Sequence, residues 1–126
     1  MIRTLAACVA LAVLSGCSSF AIIGLPSPVK VDDGDSGEDL KVVHAQQLIV
    51  RLPYKADSGY EWMLREPPIA AVKPEGAPRQ DKEEGVEVWT FTPVRDGTQY
   101  LRMEYRKPND YDAAPAGTVS YNVTVE

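Results

Sequence analysis

A chain of 126 residues with 44% hydrophobic content has room for one domain around a single modest core, and too little material for two. Its formal net charge of -5 gives an acidic surface that repels phosphate backbones, which argues against nucleic acid as a partner. One histidine and two cysteines fall short of the ligand set that zinc requires.

The first element in chain order is an export signal. Arg3 supplies a basic head, residues 5–14 form an apolar run too short to span a bilayer comfortably, and Leu14-Ser15-Gly16-Cys17 sets small residues just before a cysteine. That tetrapeptide resembles the lipobox of bacterial lipoproteins, where the thiol receives a lipid, the preceding peptide bond is cut and the new amine is acylated. The resemblance implies a signal peptide over residues 1–16 and a lipidated Cys17 that anchors the mature chain to a membrane. Ser18 in place of an aspartate implies, by resemblance to sorted lipoproteins, the periplasmic face of the outer membrane in a bacterial envelope. Cleavage removes Arg3 and Cys8, so the charge becomes -6 and no disulfide can form within the mature chain. Packing alone must then stabilise the fold, although the compartment would permit disulfides.

From residue 18 to about residue 40 the Ser, Pro, Gly and acidic content suits a tether with one early strand at residues 29–31, and an apolar patch at residues 20–25 is expected near the bilayer. The lipidated tether proper is placed at residues 17–27 and the folded domain at residues 28–126. Period-two alternation follows: Leu48, Val50 and Leu52 oppose Gln47, Ile49 and Arg51, which predicts a half-buried strand. Tyr60, Trp62 and Leu64 share one side of the next strand, and residues 86–92 alternate around Trp89 and Phe91. Leu101, Met103 and Tyr105 then oppose Arg102, Glu104 and Arg106, and Val119, Tyr121, Val123 and Val125 oppose Ser120, Asn122 and Thr124. Turn signals at Asp57-Ser58-Gly59, Pro67-Pro68, Pro74-Glu75-Gly76, Arg95-Asp96-Gly97 and Pro115-Ala116-Gly117 separate about seven short strands. The pattern predicts an all-β sandwich with Trp62, Trp89, Phe91 and Tyr105 at its centre.

Catalytic chemistry has little to build on. His44 sits on a strand-like run without a nucleophile motif nearby, and its expected state is solvated or hydrogen-bonded. Asp32, Asp33, Asp35, Glu38 and Asp39 cluster with Gly34 and Gly37, but their spacing fails the EF-hand pattern and a solvated acidic linker is the expectation. Asn122-Val123-Thr124 spells a glycosylation sequon inside a predicted strand, where chance is the plainer reading. A binding protein is expected, not an enzyme, with no cofactor and no metal.

The stretch Leu52-Pro53-Tyr54-Lys55-Ala56-Asp57-Ser58-Gly59-Tyr60-Glu61-Trp62 resembles the Leu-Pro-x-Asn-Pro-Thr-Thr-Gly-aromatic-x-Trp segment of chagasin-type inhibitors of papain-like cysteine proteases. Gly85-Val86-Glu87-Val88-Trp89-Thr90-Phe91, Asp96-Gly97-Thr98 and Tyr105-Arg106-Lys107-Pro108-Asn109 stand where that family has a strand, a turn and a Tyr-x-Arg-Pro-Trp loop. The resemblance spans residues 28–126 and implies an immunoglobulin-like sandwich whose three loops at one end wedge into a protease cleft. It implies protease-binding roles for Asp57, Ser58, Gly59 and Tyr60 in the first loop, for Gly85 closing a middle loop at residues 78–85, and for Lys107, Pro108 and Asn109 in the third. Departures are concentrated in these loops. Lys55-Ala56 replaces the stiffening Asn-Pro, Asp57 brings a negative charge, and Lys107 and Asn109 replace an arginine and a tryptophan, two of the commonest binding hot spots. Tyr111 is a candidate substitute for the missing aromatic.

Two functions from different classes stay open: a membrane-anchored inhibitor of papain-like proteases, monomeric, and a non-inhibitory immunoglobulin-like module that binds another envelope protein through the same loop end. A lysozyme-inhibitor-like lipoprotein fits less well, because no disulfide framework is present.

Overall fold

The computed structural model describes residues 26–65, 67 and 69–126. The expected signal peptide, Cys17, the patch at residues 20–25 and Pro68 of the Pro67-Pro68 turn lie outside the described residues. The chain forms β1 (Val29–Asp32), a 3-10 turn (Asp33–Asp35), β2 (Asp39–Val42), β3 (Leu48–Pro53), β4 (Glu61–Arg65), β5 (Val72–Pro74), β6 (Arg79–Asp81), β7 (Val86–Pro93), β8 (Gly97–Arg106) and β9 (Gly117–Val125). One sheet runs β1-β3-β7-β5, with β6 also beside β7, and the other runs β2-β9-β8-β4. This is the expected β-sandwich.

Among the described residues nine strands form where about seven were expected. β5 and β6 have three residues each, too few for alternation to register, and they line the same side of β7 in succession. β2 corrects the tether reading that ran to about residue 40: Leu40 and Val42 are buried, and the strand pairs in parallel with β9. The acidic stretch is solvated as expected but is an ordered turn and not a linker. The Asp32 carboxylate accepts from the Gly34 N–H at 2.8 Å and Asp35 accepts from the Asp32 N–H at 2.9 Å, a capping box that turns the chain from one sheet to the other. Among the described residues no group of three or more acidic, His or Cys side chains converges as a metal site would require.

Period-two alternation builds the core as expected, with Leu48, Val50 and Leu52 of β3 facing Leu101 and Met103 of β8 and Tyr121, Val123 and Val125 of β9. Trp62, Trp89 and Phe91 are buried, and the Trp89 and Phe91 rings stack at 6.1 Å. Tyr121 is the largest fully buried side chain; its hydroxyl donates to the Asp32 carbonyl at 2.6 Å, and burial, reinforced by Asp35, Asp32 and Asp33, holds the phenol protonated well above the ordinary range. Tyr105, expected at the centre, is only half-buried.

Two polar residues share the apolar faces because each finds partners. Gln99 accepts from the Ala71 and Val72 N–H groups at 2.8 and 2.9 Å, and Glu87 accepts from the Trp89 indole at 3.1 Å and from Gln80 at 3.3 Å. Glu104 is a correction to the alternation, since it was placed on the solvent side with Arg102 and Arg106 and is in fact 3% exposed. His44 lies in the turn after β2, not on a strand, and pairs with Asp96.

Candidate functional site

Strand registers bring three loops to one pole. Pro53 pairs with Val86, Asp81 pairs with Val86 from the other side, and Glu61 pairs with Arg106, so the connections at residues 54–60, 82–85 and 107–116 leave the sandwich together. The middle loop is shorter than its expected span of residues 78–85. β6 takes residues 79–81 into the sheet and leaves a four-residue hairpin turn ending at Gly85. Turns at residues 43–47 and 94–96 mark the opposite pole, termed the base; the three-loop pole is the tip.

Gly59 adopts φ +82°, and nothing lies within 4 Å of where a Cβ would stand, so this turn needs glycine for its backbone conformation and not for room. Asp57 adopts φ 60°, a left-handed conformation that Asp tolerates better than most side chains. Between them, Ser58 closes the loop: its Oγ donates to the Lys55 carbonyl at 2.7 Å and accepts from the Tyr60 N–H at 3.3 Å. Gly85, at φ 66°, receives the Tyr54 N–H on its carbonyl at 3.0 Å, which stitches the first loop to the second.

Tyr105, the penultimate residue of β8, joins the first loop to the third. Its hydroxyl accepts from the Lys55 N–H at 2.9 Å and lies 3.5 Å from Ser58 Oγ. Its ring stacks on Trp62 at 4.9 Å and meets Tyr60 at 5.4 Å. The Lys107 ammonium lies 5.2 Å from the centre of the Tyr60 ring, a cation–π contact that spans the two loops. Pro108 and Asn109 form the turn that the Asp110 N–H closes onto the Lys107 carbonyl at 3.1 Å, and Asn109 is exposed at its apex. Tyr54 sits beneath the first loop, where burial and the carboxylates of Asp81, Glu87 and Asp57 push its phenol above the ordinary tyrosine value.

A buried carboxylate ringed by arginines, two of them exposed, braces the third loop from below. Glu104 faces Arg106, Arg102 at 3.4 Å and Arg65 at 3.9 Å. The hydrogen bond from Arg106 holds the Glu104 carboxyl below its usual range against the opposing effect of burial, and the charges of Arg106, Arg65 and Arg102 add to the lowering. With its other side the Arg106 guanidinium donates to the Ala113 carbonyl at 2.6 Å and reaches the Tyr111 carbonyl at 3.4 Å. A carboxylate inside the sheet is thereby coupled to the backbone of residues 107–116.

The structure thus gathers Asp57, Ser58, Gly59, Tyr60, Gly85, Lys107, Pro108 and Asn109 at one pole. Sequence reasoning missed Glu104 and Arg106, which it treated as solvated, and it took the Tyr105 hydroxyl for core. A signal for the cluster was present: Arg102, Glu104 and Arg106 share one face of β8, and Arg65 lies directly across from Arg102 on β4. Tyr111 stands 73% exposed on the third loop.

Comparisons with known proteins fit this architecture. The chain superposes on the crystal structure of the cysteine protease inhibitor EhICP2 from Entamoeba histolytica with TM-score 0.71 and 15% identity, covering 79% of this chain and 96% of that one. PbICP-C, solved in complex with falcipain-2, gives TM-score 0.56 at 17% identity over 78% of this chain and 99% of its own. The solution structure of Amebosin gives TM-score 0.56 at 14% identity over 79% and 98%. Likenesses at such low identity establish a shared fold. No curated protein sequence matches the chain. The family model described as chagasin family peptidase inhibitor I42 matches residues 41–125, which runs from β2 to the end of β9 and includes all three tip loops. By that match the chain belongs to the chagasin family of peptidase inhibitors.

Proposed function

We propose that this protein inhibits papain-like cysteine proteases by presenting its three-loop tip to the active-site cleft, and that lipid on Cys17 holds it at the periplasmic face of a bacterial outer membrane. The observation that carries the inhibitory reading is the convergence of residues 54–60, 82–85 and 107–116 on one pole of a family-typical sandwich, cross-tied through Tyr105. A rigid tip loses little conformational freedom on binding. At Gly59 the missing side chain lets backbone approach a catalytic cysteine and histidine closely, which a wedge needs if it is to block a cleft without being cut. Lys55 and Lys107 flank that point as cations, whereas Asp57 sets a negative charge where it would meet a catalytic thiolate and weaken the fit. The anchor reading is supported by the basic head, apolar run and lipobox-like tetrapeptide.

Titration of the chain from residue 17, with Cys17→Ser, against papain and a cathepsin tests the inhibitory part. Wild-type tip should inhibit, and Gly59→Glu should weaken inhibition at least about tenfold, because the glutamate blocks the close approach and adds a second negative charge beside Asp57. The core should survive that change, since a Cβ there has open space and the strain is confined to the exposed turn. One observation favours the second reading, a non-inhibitory module using the same pole: Lys107 and Asn109 stand where the resemblance has arginine and tryptophan hot spots. Protease activity that stays flat to high micromolar inhibitor would select that module for these enzymes. Membrane fractionation of cells making wild type and Cys17→Ala tests the anchor.

A further inference from the structure

We propose that the base is the membrane-facing surface of this protein: Val43, Ile69 and Val94 rest on the lipid surface beneath Cys17, and the three loops project away from it. The orientation rests on the lipid-anchor reading of Cys17, and it is carried by where the chain enters the domain and by what the base exposes.

The chain enters at the base. Val29 pairs with Leu48, the first residue of β3, and its N–H donates to the Gln47 carbonyl at 2.9 Å. One residue pair earlier, the Gln46 side chain donates to the Ser27 carbonyl at 2.8 Å, which pins the entering segment against the turn after β2. β3 runs from there to Pro53 at the tip, so both parallel ends are unambiguous. Between Cys17 and Pro26 lie nine peptide steps, which span at most about 30 Å when fully extended. β8, which runs from base to tip, likewise has ten residues in nine steps and is about 30 Å long. To lay the tip on the bilayer the tether would have to reach back along almost the whole domain at its full contour length. Resting on the base requires no such extension.

The exposed surface agrees. Val43, Val94 and Ile69 are 41%, 49% and 64% exposed, and short contacts connect the segments that carry them. His44, next to Val43, pairs with Asp96, two residues beyond Val94. The Val94 N–H donates to the carbonyl of Ala71, two residues beyond Ile69, at 2.8 Å. At this pole Glu126 pairs with Lys41 at 3.0 Å, Asp96 is held by His44, and Arg95 adds an exposed cation suited to anionic lipid. Three partly exposed aliphatic side chains bind a bilayer weakly on their own. On a domain already tethered within about 30 Å of the surface, high effective concentration lets so small a contact set the orientation. A tip that faces outward serves targets that diffuse freely in the compartment.

Chemical coupling separates this orientation from the question of lipidation in the cell. The chain from Cys17 onward contains a single thiol and every described residue, so it can be attached to a maleimide-bearing phospholipid in small lipid discs doped with a spin-labelled lipid. Backbone amides of Val43, Ile69 and Val94 should then lose signal several-fold more than those of Ser58, Gly59 and Asn109. The paired variant Val43→Glu with Val94→Glu, both at exposed positions, should lose that contrast while its remaining spectrum keeps the native dispersion. Stronger loss at the tip, equal loss at both poles, or a contrast untouched by the paired variant would overturn the proposal. Whether bacteria attach lipid to Cys17 is read independently from the mass of the N-terminal peptide, so failure of the anchor reading is seen as such.

Discussion

Inside the sandwich, Leu48, Val50, Phe91, Leu101 and Val123 are fully buried among one another, so no single contact there is indispensable to the arrangement. At the tip the chain is fixed by directional bonds that converge on two neighbouring residues, Tyr105 and Arg106. The first region is held by burial, which is non-directional and shared. The second is held by hydrogen bonds, each serving one loop. On the proposed function, damage should therefore separate: core changes should lower stability and leave inhibition by the remaining folded molecules unchanged, whereas tip changes should weaken protease binding with modest effect on melting.

The largest effects come from core truncation. Phe91→Ala, at a fully buried position, should cost about 3–5 kcal/mol. At about 4–8 °C per kcal/mol for a domain of this size, thermal melting will register it without ambiguity. Papain inhibition per folded molecule should not change. Trp62→Ala should cost a similar amount and also weaken inhibition, because the Trp62 ring stacks on Tyr105 and its indole donates to the Pro53 carbonyl at 2.8 Å at the root of the first loop. Should Phe91→Ala reduce inhibition as much as Trp62→Ala does, the two regions are not separable.

Glu104→Gln sharpens the comparison at its boundary. Removing the charge leaves Arg106 without its ionic partner inside the sheet and should cost about 1–3 kcal/mol at neutral pH. Folding lowers the Glu104 carboxyl below its ordinary value of 4.5, so the folded state favours the deprotonated form. The contribution is then complete above about pH 4.5 and drains away as pH falls through the lower folded value. Denaturant titrations across that range should show wild type and variant converging toward acid. Parallel curves would place the carboxylate's role elsewhere.

That boundary also marks how far the sequence could be read. Alternation at Leu48, Val50 and Leu52, and again from Val119 to Val125, identified the sandwich because a strand with one buried face must repeat every second residue. β5 and β6 carried no such mark, since three residues are too few for alternation to register and Val72 is their one buried side chain. Glu104 was misassigned for a different reason. A carboxylate follows the rule for solvent-facing positions until three arginines from two strands surround it, and that is a property of strand pairing. The loop residues of the candidate site were legible through the resemblance, whereas the groups that hold those loops in place required coordinates.

The smallest stability effect belongs to Tyr105→Phe. The ring remains, so stacking on Trp62 and the contact with Tyr60 persist, and only the hydroxyl that accepts from the Lys55 N–H is lost. A single hydrogen bond contributes roughly 0.5–1.5 kcal/mol to stability, which is about 2–12 °C of melting temperature. Its effect on papain inhibition should be larger than that figure converts to, because Lys55 and Ser58 lose their common partner on β8 and the first loop must be ordered at the moment of binding. Melting and inhibition measured on the same preparation decide it. Equal losses in both would mean that the hydroxyl acts only as one more structural bond, while inhibition falling further than stability would locate in Tyr105 the preorganisation that the missing Asn-Pro would otherwise provide.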